Sequence, residues 1–169
     1  MCGAKKHHPL IIEGHLEAQL IDPGEIWLKY LSISLLDFIK DLKAGLSITQ
    51  VLEVFRKMGL PKRQGVKMLR LSLSMFTAAN DGTQRLPPYQ TERVFGLIFM
   101  INMVNQTAME SNPSSVAYGG GDAAKWLKRW LSQPHPAIGE MVPSDLMDTI
   151  RGQNLVIKLL SQVDQVTYT

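Results

Sequence analysis

The stretch SITQVLEVFRKMGLPKRQGVKMLRL, residues 47–71, decides the fold class. Val51, Leu52, Phe55 and Met58 recur at the three- and four-residue spacing of a helix that turns one face to a core. Ser47, with Gln50 three residues on, predicts a capping box in which each side chain bonds the other residue's backbone amide. Gly59 accepts the left-handed backbone that ends a helix. Pro61 then suits the first turn of a second helix, whose inner face is Val66, Leu69 and Met68.

The same period continues outward. Upstream, IWLKYLSISLLDFIKDL repeats Leu28, Leu31, Leu35, Phe38 and Leu42, and Gly45 ends it. Downstream, SLSMFTAAN (72–80) reads as a further short helix closed by Asn80-Asp81-Gly82. After Pro87-Pro88 a long helix is expected over 89–108. Its middle, VFGLIFMINMV (94–104), is apolar nearly all round and must be covered from two sides, by the chain itself or by a second copy. Asp122 is placed to cap AAKWLKRWL, where Trp126 stacks on Trp130 and Leu127 on Leu131, opposite Lys125, Lys128 and Arg129. A last helix, from about Thr149 to 163, presents Leu155, Val156, Leu159, Leu160 and Val163 as its face. The expected class is all-α. Composition shifts divide it into a tail (1–25), a helical body (26–110), a Ser-, Asn-, Pro- and Gly-rich linker (111–122) and a C-terminal unit (123–169).

Bulk properties exclude several classes. The 169 residues are 45% hydrophobic and 20% charged, ordinary for a globular chain. A net charge of +3 argues only weakly for nucleic acid, so charge distribution has to carry that case. One cysteine, Cys2, rules out an intrachain disulfide and fits a reducing cytoplasm. Glu13, His15 and Glu17 interrupt the N-terminus, so no signal peptide is expected. The apolar run 94–104 falls short of the roughly 20 residues of a membrane span.

No acidic residue occurs from Val54 to Asn80, a span holding Arg56, Lys57, Lys62, Arg63, Lys67 and Arg70. One reading is a helix-turn-helix, with Lys62, Arg63 and Lys67 on phosphates and Ser72, Ser74 and Thr77 toward bases. The other is a solvated basic face of a helical bundle. The 72–80 segment has no arginine, and no glutamine or asparagine before Asn80, so any DNA contact would lean on the backbone. No constellation for catalysis emerges. Cys2, His7, His8 and His15 match no zinc spacing, and the glycines of YGGG lack a phosphate-loop lysine. His135, near Ser132 and Asp145, has no nucleophile elbow. Neither metal nor cofactor is expected.

What stands out is WLKRWLSQPHPAIGEMVPSDLMDT, residues 126–149, with two tryptophans and three prolines. Such rigidity suits a preformed docking surface. This region resembles the toxin-binding domain of the Xre/MbcA/ParS antitoxins. The resemblance is carried in order by Trp126-Leu127, Pro134, Ile138-Gly139, Pro143, Asp145-Leu146-Met147, Thr149, Gly152, Val156 and Leu159-Leu160. Upstream, GLSITQVLEVFRKMGLPKRQGVKMLRLS (45–72) resembles the family's Xre-like helix-turn-helix, and QRLPPYQTER (84–93) its linker into the long helix. Residues 1–25 are unmatched. Two departures stand out: Met75-Phe76 and Ala78-Ala79 replace the family's recognition-helix arginines, and Gln165 to Thr169 replaces its glycine-containing tail.

The resemblance implies a cytoplasmic bacterial antitoxin, usually a homodimer, that pairs with a RES-domain toxin consuming NAD or using it for ADP-ribosylation. It implies steric covering of the toxin's NAD cleft, and often repression of the pair's own operon at operator DNA. Contacts are expected from the outer edge of the last helix and the tail: Arg151, Lys158, Gln162, Asp164, Gln165, Tyr168 and Thr169. Trp126, Trp130, Pro143 and Gly152 are expected to be structural. The alternatives are a helix-turn-helix repressor with no toxin partner and a helical adaptor or immunity protein that binds no DNA.

Overall fold

The computed structural model describes residues 35–77, 84–110 and 122–163. Among these, the chain forms six α-helices and no strand: α1 (Leu35–Ala44), α2 (Ile48–Met58), α3 (Lys62–Met68), α4 (Pro88–Glu110), α5 (Ala123–Leu131) and α6 (Ile150–Val163). Three short 3-10 turns, Leu73–Phe76, Pro136–Ile138 and Pro143–Leu146, connect them. The tail at 1–25, the first half of the 26–42 helix, most of the 111–122 linker and residues 164–169 lie outside the described residues.

The local signals at α2 are met atom for atom. The Ser47 hydroxyl accepts from the Gln50 amide at 3.2 Å, and the Gln50 side chain accepts from the Ser47 amide at 2.9 Å. Gly59 ends the helix at φ +61°. Val51, Phe55 and Met58 are buried as expected, and Val54 joins them.

Helix α4 is the axis of the molecule, packing against α5, α6 and α1, while α2 packs on α5. Its Val94, Leu97, Ile98, Met100, Ile101 and Val104 are buried by the chain's own helices, and Phe99 alone on that apolar run is more than half exposed. One buried cluster runs from Leu46 through α4 to Leu127, Met147 and Leu160, so the body and the C-terminal unit share a core. The entry to α4 is clamped to the start of α2. Leu86 donates to the Leu46 carbonyl at 2.8 Å, and the buried Thr91 hydroxyl accepts from Leu46 and donates to the Leu86 carbonyl, each at 3.2 Å. Gly45 is required here twice over: its φ is +79°, and a Cβ would fall 2.2 Å from the Leu86 oxygen.

The helix expected over 72–80 is not formed as such. Only a four-residue 3-10 turn appears, and Thr77 is already extended at ψ 158°. The cause is side-chain competition for local hydrogen bonds. Ser72 and Ser74 bond each other's hydroxyls at 3.0 Å, and the Thr77 hydroxyl donates to the Ser74 carbonyl at 3.0 Å. Residues 78–83 lie outside the described residues.

Candidate functional site

The rigid stretch and α6 build one surface. Asp122 caps α5, accepting from the Lys125 amide at 3.2 Å, and its carboxylate also meets the Lys125 ammonium at 2.9 Å. Burial pushes this carboxyl upward, but the Lys125 hydrogen bonds and charge outweigh that and hold it below its usual value. Leu127 and Leu131 point into the core. Trp126 and Trp130 stack with centroids 6.3 Å apart and ring planes 16° apart, half-buried against it. The His135 and Trp130 rings meet in a T-shaped arrangement with centroids 5.7 Å apart.

The loop that follows is held by its own backbone. His135 donates to the Met141 carbonyl at 3.0 Å, and its Nδ1 accepts from Ala137 at 3.3 Å. Gly139 and Glu140 are both left-handed, at φ +68° and +63°, which reverses the chain. Pro136 and Pro143 open the two 3-10 turns where a missing amide costs nothing. Pro143 and Met147 are buried, which anchors the approach to α6.

Two residues then lock α6 in place. The Thr149 hydroxyl accepts from the Gly152 amide at 3.1 Å, and a Cβ on Gly152 would fall 1.9 Å from the Leu146 carbonyl oxygen. Gln153 is 2% exposed, and its amide donates to the Arg93 carbonyl at 3.0 Å and the Met147 carbonyl at 2.9 Å. Gly96 of α4 makes room for it, since a Cβ there would fall 1.9 Å from the Gln153 Oε1. Arg93 in turn donates to the Leu69 and Arg70 carbonyls at 3.3 and 2.9 Å, tying the end of α3 to the same point.

Of the residues expected to meet a partner, Arg151, Lys158 and Gln162 are exposed along α6, whereas Asp164, Gln165, Tyr168 and Thr169 lie outside the described residues. Leu155, expected in the inner face, is instead 42% exposed, and Gln153 takes the inner position beside Val156 and Leu160. Helical phase carried that signal: Gln153 lies three residues before Val156 and seven before Leu160, whereas Leu155 lies on the far side.

The expected nucleic-acid residues are not equivalent. The Lys62 ammonium donates to the Phe76 carbonyl at 3.2 Å, and Ser72 is half-buried with its amide held by the Gln90 side chain at 3.1 Å. Arg63 and Lys67 are exposed, and so is Thr77, whose hydroxyl is used locally. Among the described residues, no group of three or more His, Cys, Asp or Glu could hold a metal ion, and no helix is long and apolar enough to cross a membrane. Cys2, His7, His8 and His15 lie outside the described residues.

With this geometry in hand, comparison with known proteins is specific. Residues 116–165 match the family model of the antitoxin Xre/MbcA/ParS C-terminal toxin-binding domain. The chain is also 29% identical over 127 residues to the Prs ADP-ribosylating antitoxin of Sphingobium sp. (strain YBL2), covering 75% of this chain and 77% of the relative.

Proposed function

We propose that this chain is an antitoxin of the Xre/MbcA/ParS family and that it neutralises a RES-type toxin by laying the outer face of α6 over the toxin's NAD cleft. The observation that carries this reading is the locking of α6. Gly152 and Gln153 fix its height and rotation, while Arg151, Lys158 and Gln162 stay exposed. A face set before the partner arrives loses little freedom on binding, which favours tight complexes. The word ADP-ribosylating in the Sphingobium relative's name supports a partner that handles NAD. Inhibition of this kind is steric and asks no catalysis of this chain. Asp164, Gln165, Tyr168 and Thr169 extend the contact in this proposal on the sequence resemblance alone.

Homodimerisation belongs to the same reading. For operator DNA the geometry supports a lesser role, a backbone contact through Arg63 and Lys67, because the segment expected to read bases is a short turn. The test is co-expression with the adjacent reading frame, followed by pull-down and an NAD-consumption assay. A stable complex that halts NAD loss, with loss resuming when residues 164–169 are deleted, is the expected result. Absence of any complex, with no rescue of growth, would refute the reading.

A further inference from the structure

Helix α6 inverts the usual sorting of side chains at two nearby positions: Gln153 is 2% exposed and Leu155 is 42% exposed. The first has a structural reason, because the Gln153 amide satisfies two backbone carbonyls. The second has none among the described residues. Leu155 sits inside the exposed line Arg151, Leu155, Lys158 and Gln162, at steps of four, three and four residues. That line spans about 16 Å of one helix face.

The charge on this helix is also one-sided. No acidic residue occurs between Ile150 and Val163. Arg151 stands in the first turn, where the positive end of the helix dipole disfavours a cation. It has no ion-pair partner among the described residues. Folding alone favours neither an outward leucine nor a first-turn arginine. Both lie within residues 116–165, the part matched to a toxin-binding domain.

We infer that Leu155 is the apolar anchor of the toxin contact, and that the toxin presents to it an apolar recess rimmed by carboxylates that meet Arg151 and Lys158. This inference rests on the reading of α6 as the toxin-facing helix. Interfaces concentrate their affinity in a few central, desolvated side chains, while rim charges set association rate and register. Leu155 has the central place and the cations flank it along the helix. Gln153, two residues away, fixes the helix rotation that aims it.

The test titrates the full chain against the purified protein of the adjacent reading frame. Leu155→Asn weakens binding by about tenfold or more, while Leu155→Met stays within about threefold. Replacing Arg151 and Lys158 together by glutamine slows association and flattens its dependence on salt. Melting curves of all variants are recorded alongside. If Leu155→Asn melts early, Leu155→Ala replaces it under the same tenfold criterion. Wild-type binding that Leu155→Asn leaves intact overturns the anchor and spares the antitoxin mechanism. Salt-independent association of wild type overturns the carboxylate rim. Failure of the wild-type chain to bind at all removes the mechanism and the anchor with it.

Discussion

Two segments of this chain, 62–77 and 150–163, were expected to offer polar and basic side chains to a partner, and they use them in opposite ways. In 62–77 the polar groups turn inward on the local backbone. Lys62 holds the Phe76 carbonyl, the Ser72 and Ser74 hydroxyls hold each other, and Thr77 holds Ser74. Arg63 and Lys67 stay exposed there. In 150–163 one buried amide, that of Gln153, does the anchoring, and the outer line from Arg151 to Gln162 stays exposed. The difference teaches that a surface is available to a partner only to the extent that the fold has not already used its hydrogen-bonding groups.

That contrast can be broken hardest at Gly152. Glycine to alanine inside a helix ordinarily gains about 1 kcal/mol. Here the added methyl would lie 1.9 Å from the Leu146 oxygen, so Gly152→Ala is expected to cost about 3 kcal/mol by urea denaturation. A gain in stability would mean that α6 is not locked by close approach. Next in size is Gln153→Leu, which strips the donor from the buried carbonyls of Arg93 and Met147. About 2 kcal/mol of destabilisation is expected, with weaker toxin binding because α6 loses its rotational stop.

A smaller effect sharpens the comparison at the start of α5. Asp122→Ala removes an N-cap and should lower stability by about 1 kcal/mol. The Asp122 carboxyl is held below its usual value in the folded chain. Its contribution is therefore complete above the unfolded value of about 3.9 and disappears as pH falls through the folded one. Wild type should lose this increment in acid and the alanine variant should not, which paired denaturation curves at pH 6 and below pH 4 would reveal. The smallest change belongs to the basic segment. Arg63→Gln with Lys67→Gln should alter stability by no more than about 0.5 kcal/mol. If the chain binds DNA through its backbone, the same pair reduces the salt slope of binding by about one per residue and does so equally for all sequences.

These cases also mark what could be read from the residues beforehand. The Ser47–Gln50 box, the Gly59 stop, the Asp122 cap and the Trp126–Trp130 stack are local, each settled within a few residues, and each was legible. The 72–80 helix misled because its apolar spacing was weighed without the serine and threonine hydroxyls that bond the backbone in competition with a helix. Leu155 reads as inward by residue type alone, whereas helical phase puts Gln153 on the buried face. Gly96 was silent in the sequence, since its reason is a side chain 57 positions further along the chain.

The hydrogen bond from Lys128 to the Gly59 carbonyl joins residues 69 positions apart, and that from Gln153 to Arg93 joins residues 60 apart. Contacts of that separation form late, after long loops have closed. The seating of α6 thus depends on residues far from it in the sequence. In the proposed reading, a change that shifts α4 at Arg93 therefore also shifts the docking face of α6, although the two are far apart in the chain.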